Sequence, residues 1–158
     1  MGADDVADDA VLCDTTYVSQ LMRAASRPGI NDHWPADAVE RLDSAILTIS
    51  VITVAELRFG MIRAGWGLAK RAEAEHRLAA YTWIPLDAET IDRWAALQAE
   101  AMALGHTGPG HNDLWIAASA LVRGYPLVSC DVAQCELPGV CDNVIYLPAD
   151  PSSRALRV

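Results

Sequence analysis

The feature of this sequence that most constrains its fold is a series of short, unbroken apolar runs separated by longer helical stretches. We predict strands at these runs: "AVLC" (10–13), "AILTIS" (45–50), "TWIPL" (82–86), "PLVSC" (126–130) and "NVIYL" (143–147). A continuous apolar run, rather than an alternation with polar residues, is typical of a strand covered on both faces, as in a parallel sheet. The pattern therefore predicts an α/β fold with a central parallel five-stranded sheet.

Helical segments fill the gaps between these strands. They are expected at 15–25, 36–43, 53–64, 68–81, 88–104 and 112–123. Asp87 is a suitable N-cap for the long fifth helix, and Gly105 and Gly124 are suitable stops for the fifth and sixth. Strands that alternate with helices imply right-handed crossovers, which place helices on both faces of the sheet.

The length and charge of the chain bound its organisation. The 158 residues suit one domain, expected at 10–147, between an acidic leader at 1–9 and a tail at 148–158. The net charge of −9 is unlike that of proteins that bind nucleic acid through an overall positive charge. Since the leader lacks the features of a signal peptide and no apolar window is long enough for a membrane span, we expect a cytoplasmic protein with no membrane contact.

The four cysteines show no C-x-x-C spacing. In a chain without an export signal they are expected to be reduced thiols, and the spacing does not favour a zinc site.

Four acidic residues fall where a parallel sheet usually builds its site. Asp14 and Asp131 directly follow strands one and four, whereas Glu56 and Asp113 fall in first turns of helices next to strands two and four. Sites in open parallel sheets form outside the carboxyl ends of the strands. If strand one lies beside strand four, all four acids face one crevice.

Two of these acids carry strong signals for a purely structural role at the start of a helix. Glu56 completes a T-x-x-E capping box with Thr53, in a helix expected to begin at Thr53. Asp113 complements the helix dipole behind a cap expected at Asn112.

The other two acids also have structural alternatives, since Asp14 can cap the first helix and Asp131 can form an Asx-turn. Taken singly, each structural role is the commoner one. Taken together, carboxylates around one crevice repel each other unless cations neutralise them. Such oxygen-rich clusters suit Mg²⁺ or Mn²⁺, which can activate water for phosphodiester cleavage.

Three blocks of sequence, in this order, resemble the PIN-domain ribonucleases, most closely the VapC toxins of type II toxin–antitoxin systems: "LCDTTYVSQL", "ISVITVAELRFG" and "NDLWIAASALVRGYPLVSCD". The resemblance covers about residues 10–147. It implies a PIN-like domain with an acidic Mg²⁺ or Mn²⁺ site that cuts RNA.

The resemblance also implies roles for individual residues. The family's first three acids fall on Asp14, Glu56 and Asp113, and its fourth acidic region begins at Asp131. Hydroxyl residues expected to support the carboxylates or hold water match Thr15 and Ser129. A metal ion is expected to be held chiefly by Asp14 and Asp113, with Asp131 acting directly or through water.

The fourth region departs from the family pattern. Members commonly read T-x-[DN]-x-x-D-F, whereas this chain reads "SCDVAQC", with Gln134 at the second acidic position and Cys135 at the aromatic one. An amide can hydrogen-bond a water but brings no charge. With Gln134 at this position, the sequence does not decide whether the site holds one metal ion or two. The departure is also the main support for an alternative function as a non-catalytic PIN-like binding module.

The resemblance implies an endoribonuclease toxin that acts on RNA, such as tRNA or rRNA, forms a homodimer and is neutralised by a VapB-like antitoxin. Arg23, Arg27 and Arg58 are candidates for a basic rim that holds RNA phosphates, against the alternative of a solvated helix face. A phosphotransfer domain of the receiver or dehalogenase type is disfavoured. The sequence lacks a second aspartate two residues after Asp14 and a lysine at the end of a late strand.

Aromatic and imidazole side chains provide weaker signals. Trp34 and Trp66 lie in loop-like sequence and are the candidates for stacking on RNA bases. The remaining tryptophans, among them Trp83, are expected to pack in the core or in a dimer. A loop role is expected for His106 and His111, since Mg²⁺ prefers oxygen ligands.

Overall fold

A computed structural model describes residues 9–105 and 110–149, with only the backbone of Cys141. Strands and helices alternate along this part of the chain. The elements are β1 (Ala10–Cys13), α1 (Thr15–Ala24), α2 (Ala36–Ser44), β2 (Ile46–Ser50), α3 (Val51–Arg63), α4 (Leu68–Leu78), β3 (Thr82–Ile84), α5 (Ala88–Ala103), α6 (His111–Arg123), β4 (Leu127–Ser129), α7 (Val132–Cys135), a 3₁₀ turn (Cys141–Asn143) and β5 (Val144–Tyr146).

The sheet has five strands in the order β3-β2-β1-β4-β5, and every pair is parallel. This confirms the predicted parallel sheet. β1 is central, with Cys13 paired to Ile49 of β2 on one side and to Val128 of β4 on the other. Because β1 and β4 are neighbours that run the same way, the residues following them emerge at the same edge.

Helices cover both faces of the sheet, as the sequence predicted. Alternate residues of β1 face opposite sides, so Val11 and Cys13 join one core cluster and Leu12 joins the other. The first cluster is filled from α1 to α4 and the second chiefly from α5 and α6. β1 is buried along its whole length, whereas the edge strands β3 and β5 are partly exposed.

The start of α3 differs from the prediction. Ser50 is the N-cap, and its Oγ accepts a hydrogen bond of 3.2 Å from the backbone N–H of Ile52. Thr53 therefore lies inside the helix, fully buried, and the predicted capping box between Thr53 and Glu56 is wrong. Because the Ser50 hydroxyl at the end of β2 caps the helix, α3 begins before Thr53, and Glu56 falls in its second turn.

The start of α6 differs in a similar way. Gly110 is the N-cap, so the expectation that Asn112 caps this helix is wrong. The Asp113 carboxylate accepts a hydrogen bond of 3.1 Å from the Gly110 backbone N–H, an arrangement that satisfies an otherwise unpaired donor of the first turn. Asp113 thus contributes to the helix start, and Asn112 is free to contact another element.

Trp34 belongs to the core, which corrects its proposed role in stacking on RNA. It is only 9% exposed, packs at 5.7 Å from the Tyr17 ring, and donates a 2.9 Å hydrogen bond to the Pro148 carbonyl. The first residues of the predicted tail are therefore packed against the domain. Most of the predicted leader and tail lies outside the described residues, as does His106.

Trp83 is 39% exposed on edge strand β3, so of its two expected roles, packing in the core or in a dimer, the structure shows core packing only in part. None of the helices in the described ranges combines the length and apolar character that crossing a bilayer requires.

Candidate active site

Asp14 occupies the carboxyl end of β1, where the chain turns into α1. It is 1% exposed. Its Oδ1 accepts hydrogen bonds from the Tyr17 backbone N–H at 2.9 Å and from Thr16 Oγ1 at 2.7 Å, and its Oδ2 accepts one from Ser129 Oγ. Asp14 is therefore both the N-cap of α1 and a side chain held across β1 and β4.

Burial raises the pKa of Asp14 to about 6. The hydrogen bonds from Ser129, Tyr17 and Thr16 oppose this shift, and the negative charge of Asp113 adds to it. A carboxyl group whose ionised form is disfavoured in this way gains from any positive charge placed beside it.

Two hydroxyls tie α1 to the end of β4. Thr16 Oγ1 accepts a 2.9 Å hydrogen bond from the Cys130 backbone N–H while it donates to Asp14. Ser129, which is fully buried, accepts a 2.9 Å hydrogen bond from the Asp131 backbone N–H. Sequence reasoning missed Thr16. Thr15 and Thr16 have the same chemistry, and they differ only in the direction in which their side chains leave α1.

Glu56 is held between three helices. Its Oε2 accepts a hydrogen bond from Thr15 Oγ1, and its Oε1 accepts a 3.0 Å hydrogen bond from Asn112 Nδ2. Thr15 also lies 3.2 Å from Thr53 Oγ1. The threonine next to Asp14 thus supports the second acid rather than the first, and Asn112 is a site residue that the sequence indicated only as a cap.

Asp113 is half-buried between Gly110 and Gln134. Its Oδ1 accepts a 2.7 Å hydrogen bond from Gln134 Nε2, and its Oδ2 is bound by the Gly110 backbone N–H. Burial raises the pKa of Asp113, and the charges of Glu56 and Asp131 raise it further. Since Asp113 in turn raises the pKa of Asp14, these acids share one electrostatic environment.

Asp131 follows β4 and caps the short helix α7, with its Oδ1 accepting a 3.0 Å hydrogen bond from the Ala133 backbone N–H. This helix was not predicted, since four residues are too few to show a helical period. It carries Gln134, which is 2% exposed and whose Oε1 is buried without a hydrogen-bond partner.

The donor chemistry of this site fits a hard divalent cation. Its donors are carboxylate, hydroxyl and amide oxygens, which Mg²⁺ and Mn²⁺ prefer, and the mutual effects of the acids on their pKa values favour added positive charge. In the ranges 9–105 and 110–149, however, no three acidic, histidine or cysteine side chains are gathered closely enough to form a ready-made metal site. Instead, neutral donors hold the individual carboxylates, and a cation would have to replace some of these hydrogen bonds.

A groove of about 440 Å³ opens beside Glu56 and Thr15. The side chains that line it are apolar or basic along most of its length. They include Met22, Leu57, Met61 and Trp66 together with Arg23, Arg27 and Lys70. The acidic site is thus continuous with a surface that offers positive charge.

The structure does not bring Arg58 into this groove. Its guanidinium pairs with the Glu75 carboxylate at 2.8 and 2.9 Å and lies 5.4 Å from the centre of the Trp83 ring. In contrast, Trp66 is half-buried in the groove wall, and Lys70 Nζ lies 3.8 Å from the centre of its ring.

Residues 11–140 match the family model described as PIN domain. The VapC ribonuclease Y4jK of Sinorhizobium fredii is 29% identical over 137 residues, which cover 82% of this chain and 93% of that protein. Ribonuclease VapC5 of Mycobacterium tuberculosis is 32% identical over 97 residues, which cover 58% of this chain and 71% of that protein.

Solved structures share the fold. A chain from the DNA-bound VapBC of Salmonella typhimurium has a TM-score of 0.67 at 22% identity, covering 87% of this chain and 98% of that one. A chain from VapBC-5 of Mycobacterium tuberculosis has a TM-score of 0.62 at 24% identity, covering 89% of this chain and 99% of that one. At such identities the likeness shows the fold alone.

Proposed function

The chain belongs to the PIN-domain family, and from this premise we propose that it is a metal-dependent endoribonuclease that hydrolyses phosphodiester bonds in RNA. The observation that carries the proposal is that the charge of Asp113 interacts with those of Asp14, Glu56 and Asp131 beyond the carboxyl ends of β1 and β4. Each is anchored by hydrogen bonds, and Asp113 is electrostatically coupled to the other three. The similar proteins of Sinorhizobium fredii and Mycobacterium tuberculosis are VapC ribonucleases, which supports the same activity.

Asp14 and Asp113 would hold the metal ion, with Asp131 acting directly or through water. When bound, Mg²⁺ or Mn²⁺ lowers the pKa of a water molecule and places positive charge beside the scissile phosphate. Thr16 and Ser129 keep the Asp14 carboxylate in place, and the ion would replace some of the hydrogen bonds that these hydroxyls make to it.

Glu56 has a different role in this proposal. It lines the groove as well as the acidic site, and its carboxylate oxygens are directed by the Thr15 hydroxyl and the Asn112 amide. A carboxylate between substrate groove and metal site is placed to accept the proton of the attacking water. Thr15 and Asn112 orient this proton acceptor.

The groove is proposed to hold the macromolecular partners. Arg23 and Arg27 line it and would contact phosphates of the RNA substrate, which we expect to be a tRNA or an rRNA. The solved relatives are VapBC complexes, and we propose that a VapB-like antitoxin covers the groove and blocks access to Glu56. We also propose that the chain acts as a homodimer.

The activity is tested with purified protein, tRNA and rRNA, in Mg²⁺ and in EDTA. Cleavage should require the divalent ion, and Asp14→Asn or Asp113→Asn should lower the rate by about 100-fold or more. Asp92→Asn, an exposed position on α5, is the matched control and should cut like the wild type. Equal cleavage by the two site variants and the wild type would show that the acids are not the catalytic centre.

A second function is favoured by one observation, the amide of Gln134 at a position where the family pattern usually has an acid. With one charge fewer, the chain can act as a PIN-like module that binds RNA or protein without cutting. Metal binding with no turnover on tRNA or rRNA supports this function, whereas robust metal-dependent cleavage eliminates it.

A further inference from the structure

One residue in the wall of the groove beside Glu56 has no side chain. This residue is Gly60, which lies inside α3, one helical turn after Glu56, and is exposed. A Cβ added at Gly60 would meet no neighbouring atom within 4 Å, and the φ of this residue is negative, as for any residue in a helix. Neither the packing nor the backbone of the described chain therefore requires a glycine here.

A glycine at this position has a cost in stability. An exposed glycine inside a helix is less favourable than alanine, because its backbone loses more conformational entropy on folding. What a glycine offers in return is room for the close approach of another molecule to the backbone. Since Gly60 lines the groove, this approach would take place on the α3 side of the groove.

The charges along the groove indicate which kind of molecule it attracts. Arg23, Arg27 and Lys70 line it and are exposed, and no carboxylate in residues 9–105 or 110–149 forms an ion pair with any of them. Of the described residues that line the groove, Glu56 alone is acidic, and two hydrogen bonds already hold its carboxylate. The groove is thus a basic surface on a chain with a net charge of −9, and it complements an acidic partner.

The apolar residues of the groove favour a protein partner over RNA. Met22, Leu57 and Met61 line it, and methionine side chains adapt to apolar side chains of varied shape. An RNA base would instead need an open aromatic face. The tryptophan of the groove, Trp66, is already engaged, because it packs against the first core cluster and Lys70 Nζ lies 3.8 Å from its ring centre.

We propose that the groove binds a protein segment rich in acidic and apolar residues, and that Gly60 lets this segment lie directly against the α3 backbone. Acidic side chains of the segment pair with Arg23, Arg27 and Lys70, and its apolar side chains pack on the methionines and on Leu57. The inference rests on the protein partner proposed for the groove and names the chemistry that recognises it. It does not require that RNA be cut.

The probe is a library of random dodecapeptides displayed on phage, which is selected on the immobilised full chain in EDTA. The enriched peptides should contain more Asp, Glu and apolar residues than the unselected library. Fluorescence anisotropy should show that their binding weakens as the salt concentration rises. A library without enrichment, or one enriched in Lys and Arg, would refute the inference.

Substitutions at Gly60 test the close approach. Gly60→Ala adds one carbon and should weaken the binding of the enriched peptides by about 10-fold, and Gly60→Leu should weaken it further. Neither effect can come from unfolding if urea unfolding finds both variants folded. Ala55→Leu is the matched control, because Ala55 is exposed on the same helix but does not line the groove, so the affinity should stay unchanged.

A substitution at Arg27 tests the charge. Arg27→Glu should weaken the binding of the enriched peptides by at least about 5-fold. Arg41→Glu, at an exposed position on α2 that does not line the groove, should leave it unchanged. A single-stranded oligouridine is titrated in parallel. Arg27→Glu should weaken RNA binding as well, since a rim charge also attracts phosphates, whereas Gly60→Ala should not.

Equal affinity of the enriched peptides for the wild type and for folded Gly60→Leu would overturn the inference. So would a loss of oligouridine binding in Gly60→Ala without a loss of peptide binding, since RNA would then be the molecule that approaches α3. The proposed nuclease is tested separately. Peptide binding without RNA cleavage would refute the nuclease alone, and cleavage without peptide binding would refute this inference alone.

Discussion

Replacing Asp14 by asparagine should make the metal-free protein more stable at neutral pH, although it removes a residue of the proposed catalytic site. The reason is that Asp14 is 1% exposed, so its ionised form is placed where water cannot solvate it. Residues of functional sites are often kept at a cost in stability, and this position offers a direct measurement of that cost.

The hydrogen bonds around Asp14 can be kept by asparagine. Its Oδ1 can accept from Tyr17 and Thr16 as the Asp14 Oδ1 does. Its Nδ2 would face Ser129 Oγ, whose proton can turn toward the Asp131 carbonyl, 3.3 Å away. The substitution therefore removes a charge while no buried polar group loses its partner.

The size of the effect follows from the pKa of Asp14. A pKa of about 6 in place of 3.8 corresponds to roughly 3 kcal/mol, at about 1.4 kcal/mol for each unit. Because the folded-state pKa is the higher one, the folded protein binds this proton more tightly than the unfolded chain does. Stability from this group is thus fully present below pH 3.8 and is lost as the pH rises through about 6.

Urea unfolding in EDTA is the assay. At pH 7.5 the Asp14→Asn variant should be more stable than the wild type by about 2–3 kcal/mol, and at pH 4 the difference should fall below about 1 kcal/mol. Saturating Mg²⁺ should narrow the gap at pH 7.5, since the ion stabilises the wild type by about 3 kcal/mol at 100 times its Kd. Asp92→Asn should change stability by less than about 0.5 kcal/mol. A less stable Asp14→Asn variant at pH 7.5, or the same gap at both pH values, would refute the reasoning.

Three further predictions follow from single contacts. Asn112→Ala should slow RNA cleavage by about 10-fold, because it removes the hydrogen bond from Asn112 Nδ2 that orients the Glu56 carboxylate. The Tm of the protein should change little. An unchanged cleavage rate would contradict the role of this amide. Burial raises the pKa of Cys130 to about 12, so mass spectrometry should find its thiol labelled by a maleimide at pH 7 only after unfolding. Gly124→Ala should lower the free energy of unfolding by about 1 kcal/mol, because φ is 66° at this helix end. Gly60→Ala should raise it by about 0.5–1 kcal/mol, because Gly60 lies inside α3 and an added Cβ would meet no neighbour. Urea unfolding measures both changes, and a change in the same direction for the two variants would contradict the explanation.

Most of the fold was readable from the sequence, because the responsible interactions are local or follow from burial alone. The unbroken apolar run of β1 identifies a strand covered on both faces, and Asp14 directly after it is both a helix cap and a residue at a sheet edge. The parallel sheet then follows the general rules of α/β folds, whereas the adjacency of β1 and β4 was only a condition in the sequence analysis and is supplied by the structure. The sequence by itself thus determined the parallel α/β architecture and indicated four candidate acids for the site.

Only the tertiary structure decided which neutral group serves which acid. Thr15 bonds to Glu56, 41 residues away, and Ser129 bonds to Asp14 across 115 residues. Such pairs cannot be predicted from residues that are close in the sequence, since they depend on how α1, α3 and β4 pack. The beginning of α3 at Val51, two residues before the predicted start, rotates Glu56 away from a cap and toward Asn112. The burial of the strands can be read from the local sequence. The exact starts of α3 and α6 were decided only by the folded structure, and the direction of each site carboxylate is set by packing between distant elements.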